Sequence, residues 1–369
     1  MGLAIDTVPC TDTLTVDLFD DTRPFRLECG KSLGRVTVAY ETYGTLNAEG
    51  TNAMLVCHAL TANAHAAGFS PAGDPSPGWW DGLIGPGKAL DPTRYYIVSP
   101  NILGSCYGTT GPVSINPETG RRYGIDFPPL TVRDIVEVQK ALLDFLGVNR
   151  LETVLGSSLG GMQVLEWGVL HPGFCESIIP ISTAAQQPAW CIALNAAARA
   201  AIMGDPAWLG GEYTEQPEHG LALARMVGMI SYRSFTEFEA RFGRTRQKEH
   251  GEYNDPSNIF AIESYLLHQG KKLADRFDAN TYVVLSRATD LHDVAQGRGS
   301  VRDVLGEIKA RTLAIGVSTD ARYHTHLQKE IALGIPNARY REIRSIHGHD
   351  AFLIEYEQLN AIIAEFLKR

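Results

Sequence analysis

Short apolar runs alternate along this chain with longer segments whose apolar positions recur every three or four residues. The first kind reads as strands and the second as helices. Thr13 to Leu18 and Arg35 to Tyr43 alternate in the strand manner, with Gly30 and Gly44 as breaks. Met54-Leu55-Val56-Cys57 and Tyr95-Tyr96-Ile97-Val98 are compact runs of the kind buried strands carry. Thr131, with Asp134 three residues on, makes a capping-box-like helix start. Ile135, Val138, Leu142, Phe145 and Leu146 then share one helical face, and Gly147 ends it. Leu151 to Leu155 reads as a buried strand. Met162 to Leu170 reads as an apolar helix stopped by His171-Pro172-Gly173. Ile178 to Ile181 reads as a further strand, with Pro180 expected at its end or on a sheet edge.

From about Thr183 to Val294 the character changes. Alanine, arginine, glutamate and aromatic residues dominate, and clear buried strands disappear. Strand character returns at Thr312 to Val317 and at Arg339 to Ile343, and a helix from about Ala351 to Leu367 closes the chain. This order predicts the α/β class, with a mostly parallel central sheet covered on both faces. The expected division is a core of residues 1–182 and 296–369, interrupted by a helical lid insertion at 183–295. No internal repeat or low-complexity tract is present.

Composition narrows the function classes. The chain has 369 residues, enough for a large core, and carries 33 Lys and Arg against 42 Asp and Glu. That acidic balance argues against a nucleic-acid surface, which needs concentrated positive charge. No apolar run is long enough for a membrane-spanning helix. Met1 to Asp6 lacks the basic start and apolar core of a signal peptide, so a cytoplasmic setting is expected. The six cysteines, Cys10, Cys29, Cys57, Cys106, Cys175 and Cys191, show no C-x-x-C spacing and are expected to be reduced thiols.

Candidate chemistry centres on Gly156-Ser157-Ser158-Leu159-Gly160, which reads G-x-S-x-G between the Leu151–Leu155 run and a helix. In that context it describes a nucleophile elbow, a sharp strand-to-helix turn presenting Ser158. With 36 glycines in the chain the five residues alone are a weak signal, so partners are needed. A serine hydroxyl requires a base, usually histidine, oriented by a carboxylate. On hydrolase folds of this kind the chain order is serine, acid, histidine. Asp320 follows the Thr312–Val317 strand, and His347 and His349 both follow the Arg339–Ile343 strand. All lie beyond the C-terminal ends of predicted strands, where open α/β sheets build their sites. Both histidines remain candidates for the base on this reading. An oxyanion hole needs two backbone N–H groups; Leu159 is the candidate for one, and the loop His58-Ala59-Leu60-Thr61 for the other. His324-Thr325-His326 has no Cys or carboxylate cluster beside it, so no metal site is expected.

Several longer segments resemble the homoserine O-acetyltransferases of methionine biosynthesis, which have the α/β-hydrolase fold. They are Cys57-His58-Ala59-Leu60-Thr61, Cys106-Tyr107-Gly108-Thr109-Thr110-Gly111-Pro112 and Asn116-Pro117-Glu118-Thr119-Gly120. Gly160-Gly161-Met162-Gln163, Leu165-Glu166-Trp167 and Gly348-His349-Asp350-Ala351-Phe352-Leu353 complete the set. The resemblance implies a triad of Ser158, Asp320 and His349, with Leu60 and Leu159 as oxyanion donors. It implies that Arg225, helped by Tyr232, holds the amino-acid carboxylate and that Asp350 accepts the α-ammonium group. It implies acyl transfer from acetyl-CoA, a co-substrate rather than a tightly bound cofactor, to L-homoserine, and a homodimer through the lid helices. The wider family also includes succinyl-CoA-dependent homoserine and serine acyltransferases. The elbow and triad alone would equally suit an esterase or thioesterase. Two departures bear on the acyl pocket. Ser157 and Leu159 flank the nucleophile where the family usually reads Gly-Gly-Ser-Met-Gly-Gly, and Ala321-Arg322-Tyr323-His324 replaces its usual Leu-Phe-Pro after the acid.

Overall fold

The apolar runs become the strands of one eight-stranded sheet in a computed structural model that describes residues 11–70, 76–248 and 254–368. The strands are β1 (Leu14–Leu18), β2 (Phe25–Arg26), β3 (Ser32–Leu33), β4 (Val36–Tyr43), β5 (Ala53–Cys57), β6 (Tyr96–Pro100), β7 (Leu151–Ser157), β8 (Cys175–Ile181), β9 (Arg311–Val317) and β10 (Arg339–Ile343). The sheet order is β1-β4-β6-β5-β7-β8-β9-β10, and β2 pairs only with β3. The pairs β1–β4 and β4–β6 are antiparallel; β6 through β10 run parallel. The mostly parallel sheet is therefore present. Met1 to Asp6 and Cys10 lie outside the described residues.

The helices are α1 (Val132–Phe145), α2 (Leu159–Leu170), α3 (Ala189–Met203), α4 (Glu218–Tyr232), α5 (Phe235–Arg241), α6 (Ala261–Ala274), α7 (Ala279–Asp290), α8 (Val301–Glu307), α9 (Thr325–Gly334) and α10 (Tyr356–Leu367). The predicted capping box at Thr131 forms in full, its side chain accepting from the Asp134 N–H while Asp134 accepts from Thr131. Two buried clusters cover the two faces of the sheet. One contains α1 and α2, with Leu55, Val98, Val154 and Ala314; the other contains α10, with Val56, Ile97, Leu155 and Ile315. Alternate residues of one strand serve opposite faces, as the strand pleat requires.

Two predicted elements differ in detail. Pro180 lies neither at an edge nor at the terminal position: β8 is central, and Pro180 sits opposite Gly156 of β7. On its other side the registered pairs with β9 skip Ile179 and Pro180, resuming at Ile181. A proline without an N–H is thus tolerated where the ladder lapses. The closing helix is two elements, a 3₁₀ turn at Gly348–Leu353 and then α10. Ile354 (φ −130°, ψ −47°) and Glu355 (φ −84°, ψ 51°) leave helical geometry between them, so the long helix begins only at Tyr356.

Helices α3 to α7 occupy residues 189–290, and no named strand falls among the described residues of that stretch. The stretch leaves and rejoins the core through one paired neck. Gln187 N–H donates to His292 O (2.9 Å), Val294 N–H donates to Ala185 O (3.0 Å), and Gln186 bridges antiparallel to Asp293. Arg133 of α1 fastens the returning side, donating from Nη2 to the carbonyls of Asp293 (3.1 Å) and Gln296 (2.8 Å). Among the described residues no helix is long and apolar enough to cross a membrane.

Candidate active site

β7 ends at Ser157 and α2 begins at Leu159, leaving Ser158 alone in the turn. Its φ of 57° and ψ of −121° are a conformation that non-glycine residues rarely adopt, costing on the order of 1–3 kcal/mol. Backbone bonds hold it there: Ser158 N–H donates to Ile181 O (3.0 Å), while Ser158 O accepts from Met162 N–H (3.1 Å) and the Thr183 hydroxyl (2.9 Å). The turn packs against the end of β5. A Cβ on Gly160 would lie 2.1 Å from Cys57 O, so only glycine fits. Ser157 is fully buried and its hydroxyl has no hydrogen-bond partner.

Asp320 follows β9 by three residues. Its Oδ1 accepts the N–H groups of Arg322 (2.8 Å) and Tyr323 (2.9 Å), and its Oδ2 accepts from His349 Nδ1 at 2.7 Å. A carboxylate can only accept, so His349 carries its proton on Nδ1, leaving Nε2 as the basic nitrogen. The ring is packed among Tyr323, Phe352 and Tyr232, with centroids 5.4, 5.3 and 6.0 Å away. His347 faces elsewhere, its Nδ1 3.5 Å from Glu237 Oε1. The geometry therefore pairs His349, not His347, with the acid. Ser158, Asp320 and His349 all leave the same, C-terminal edge of the parallel strands, where Ser157 pairs with Ile181 and Ile181 with Ile315.

The first turn of α2 and the loop after β5 are joined by one side chain. Gln163 Nε2 donates to both Leu159 O (3.1 Å) and His58 O (3.3 Å), and its own Oε1 accepts from Gln139 (2.6 Å). Leu159 is the first residue of α2, so its N–H has no acceptor within the helix. Within the loop, fully buried His58 has Nδ1 2.7 Å from Ala59 O. A carbonyl only accepts, so Nδ1 is the donor. Burial lowers the pKa to about 4, so the ring is neutral and Nε2 accepts from Ile102 N–H (3.1 Å). Asn101 Oδ1 lies equally near Nε2. Ala59 O and the Leu60 N–H belong to one peptide group, so His58 fixes the direction of both. The sequence reading placed His58 only within a motif and missed this part.

The residues expected to hold an amino acid gather beside the base. Arg225 reaches over Tyr232, its guanidinium carbon 5.3 Å from the ring centre. Asp350, next to His349, pairs with Arg233 Nε at 3.2 Å. Burial raises the Asp350 carboxyl, opposed by Arg233, Arg225 and His349. Arg233 and Arg322 were not anticipated. The available signals were position alone: Arg233 follows Tyr232 directly, and Arg322 stands two residues after the acid. The His324 and His326 rings stack at 6.1 Å, and no group of three or more His, Cys, Asp or Glu able to hold a metal occurs among the described residues. Cys29, Cys57, Cys106, Cys175 and Cys191 are free thiols.

Residues 52–352 match the family described as alpha/beta hydrolase fold. A homoserine O-acetyltransferase from Moorella thermoacetica is 52% identical over 361 residues, covering 96% of each chain. Among solved structures, homoserine O-acetyltransferase from Bacillus anthracis superposes with a TM-score of 0.90 at 33% identity, covering 98% of each chain. Esterase E22 superposes as well, with a TM-score of 0.89 at 32% identity, covering 97% of this chain and 100% of its own.

Proposed function

This chain belongs to the homoserine O-acetyltransferase family of the α/β-hydrolase fold, and from that premise we propose that it moves an acetyl group from acetyl-CoA to the side-chain hydroxyl of L-homoserine. The observation that carries the reading is the charged group beside the base. Arg225 and Asp350 offer opposite charges for a carboxylate and an ammonium, close to the His349–Asp320 pair. Hydrolysis of a simple ester has no use for such a pair.

The steps balance as a ping-pong exchange. His349 Nε2 takes the Ser158 proton as Oγ attacks the thioester carbonyl. The N–H groups of Leu60 and Leu159 receive the developing oxyanion. Its collapse breaks the C–S bond; CoA leaves with the proton from His349, and acetyl-Ser158 remains. Homoserine then enters with its carboxylate on Arg225 and Tyr232 and its ammonium on Asp350. Its hydroxyl gives a proton to His349 and attacks the ester. The second oxyanion expels the serine oxygen, which regains the proton. Residues 183–295 act as a lid that limits water, the competing acceptor. No metal or tightly bound cofactor has a part in these steps; acetyl-CoA and L-homoserine are the ligands, with no nucleic acid or membrane as partner. The setting is the cytoplasm in this reading. A second copy of the chain, meeting it through the lid helices, would cover Trp190, Leu223 and Ile230, which are 57, 41 and 57% exposed on α3 and α4.

Intact-mass measurement after mixing with acetyl-CoA or succinyl-CoA, without acceptor, tests the donor. An acetyl adduct absent from Ser158→Ala is expected; a succinyl adduct alone would replace the donor, and no adduct at all would sink the covalent mechanism. The likeness to esterase E22 favours hydrolysis as the second reading. CoA release from acetyl-CoA that is indifferent to homoserine would establish it instead.

A further inference from the structure

Near the site, the side chain of Arg322 is a positive charge sealed in protein with no carboxylate in contact among the described residues. The residue is 6% exposed, and its guanidinium forms no ion pair among the described residues. Nη1 donates to the Ser231 hydroxyl (3.2 Å) on α4, and Nη2 donates to Asn195 Oδ1 (2.6 Å) on α3. The nearest carboxylate joined to it by hydrogen bonds is one residue removed: Asn195 Nδ2 donates to Asp290 Oδ1 (2.7 Å), and Asp290 is already paired with Arg199 (2.7 Å). A buried charge without a counter-ion is costly unless something else balances it.

Two aromatic faces and a second guanidinium surround it. The Arg322 guanidinium carbon lies 5.4 Å from the centre of the Tyr232 ring and 6.0 Å from that of Tyr323. The Arg225 guanidinium lies 5.3 Å from the same Tyr232 ring. One tyrosine is therefore shared by two cations, each within cation–π range. The backbone of this segment is equally committed. Arg322 and Tyr323 give their N–H groups to Asp320, while Ala321 O and Arg322 O accept from Trp190 Nε1 (2.9 Å) and Cys191 Sγ (3.1 Å). Tyr323 donates its hydroxyl to Gln187 (2.9 Å). The loop that orients the triad acid is thus stitched to the first turn of α3, and its one long charged side chain passes on to Tyr232.

We propose that Arg322 is a positioning and specificity residue for the acceptor: it holds Tyr232 and adds a second, buried positive charge behind Arg225, so that the carboxylate of the incoming amino acid is its missing counter-ion. The proposal rests on the reading of Arg225 and Tyr232 as the carboxylate site. It also separates the two halves of the reaction. Formation of the acyl-enzyme involves no acceptor carboxylate and should be nearly blind to the charge at position 322, whereas transfer to homoserine should feel it strongly.

The test uses full-length Arg322→Met, which keeps length without charge, and Arg322→Lys, which keeps charge without the planar fork. Arg322→Met should leave the burst of CoA released by acetyl-CoA alone within about threefold of the parent. It should raise KM for L-homoserine by on the order of tenfold to a hundredfold. Arg322→Lys should recover a substantial part of that loss. Aminopropanol, which is homoserine without its carboxylate, should remain an equally poor acceptor for parent and Arg322→Met. Equal slowing of burst and transfer in both variants, or the same loss with aminopropanol as with homoserine, would reduce Arg322 to a packing role and overturn the proposal. If Arg322→Met does not fold, Asn195→Leu, which cuts the guanidinium from Asp290, must leave the burst intact and alter homoserine KM; a variant unchanged in KM counts against the idea. Absence of any burst in the parent would instead indict the acyl-transfer reading itself.

Discussion

At the residue scale, the strongest constraints are those that fix a proton or a peptide plane. His58 does both, through its bond to Ala59 O and its acceptance from Ile102. His58→Ala should slow acylation and transfer alike, by up to roughly a hundredfold, because both pass through an oxyanion. KM should hardly move, and His58→Asn, which keeps a donor near the Nδ1 position, should recover part of the rate. Burst and steady-state kinetics on the two variants decide it; a selective effect on one half-reaction would remove the positioning role. His58 and His292 are also acid-sensitive. Burial lowers each from 6.5 to about 4. The unfolded chain takes up these protons from about pH 6.5, while the folded chain resists until about pH 4. The stabilisation is therefore complete above pH 6.5 and is lost as pH falls towards 4, on the order of 3 kcal/mol per histidine. Asp350, raised by burial, works in the opposite sense. Denaturant titration at pH 7 and pH 5 should show a smaller drop for His292→Gln than for the parent, since Gln takes up no proton yet can still donate to Ala184 O in place of Nε2. Identical drops would mean that His292 does not carry the effect.

At the scale of elements, the contact of α2 with β5 is the tightest joint. Gly160→Ala forces a methyl against Cys57 O, and should destabilise by about 1–3 kcal/mol or more while displacing Leu159. Gly306 in α8 meets nothing within 4 Å, so Gly306→Ala should stabilise by about 0.5–1 kcal/mol. Thermal melts of both variants give the signs; a neutral Gly160→Ala would show that the turn can relax. These joints also explain what the sequence made readable. β5 is an unbroken apolar run, β7 and β9 are buried on both faces and mainly apolar, and the elbow between β7 and α2 has a fixed residue spacing. The break between the 3₁₀ turn at Gly348–Leu353 and α10 was invisible because the composition runs on as a helix, while Ile354 and Glu355 leave helical φ/ψ only in the folded chain. The Asp320–His349 pair followed from order along the chain, yet the choice between His347 and His349 needed geometry. Arg225 and Tyr232 lie on a helix whose spacing carries no chemical mark, and only resemblance pointed to them. Arg233 and Arg322 act through contacts between distant segments, for which a single sequence holds no periodic signal.

At the scale of the whole molecule, the outward faces of α3 and α4 remain apolar, with Leu223 and Ile230 two turns apart on one side. A second protomer seated there predicts a dimer at micromolar concentration, and Leu223→Asp with Ile230→Asp should yield monomers that keep the acetyl-CoA burst. Sedimentation velocity reads this directly; a monomeric parent would sink the assembly. The neck between Ala185 and Val294 has a longer reach. Its two segments of chain meet as neighbours, bonded to each other and clasped by Arg133, so the stretch between them enters and leaves the core at one point, while its helices also touch the loops after β9 and β10. Such an insert can be exchanged, lengthened or trimmed without resetting the register of β8 against β9. Selection could then remake the part of the proposed acceptor site that Arg225 and Tyr232 form, whereas Arg322 and Asp350 stay with the core, and a relative's 185–294 segment grafted onto this core must still meet them.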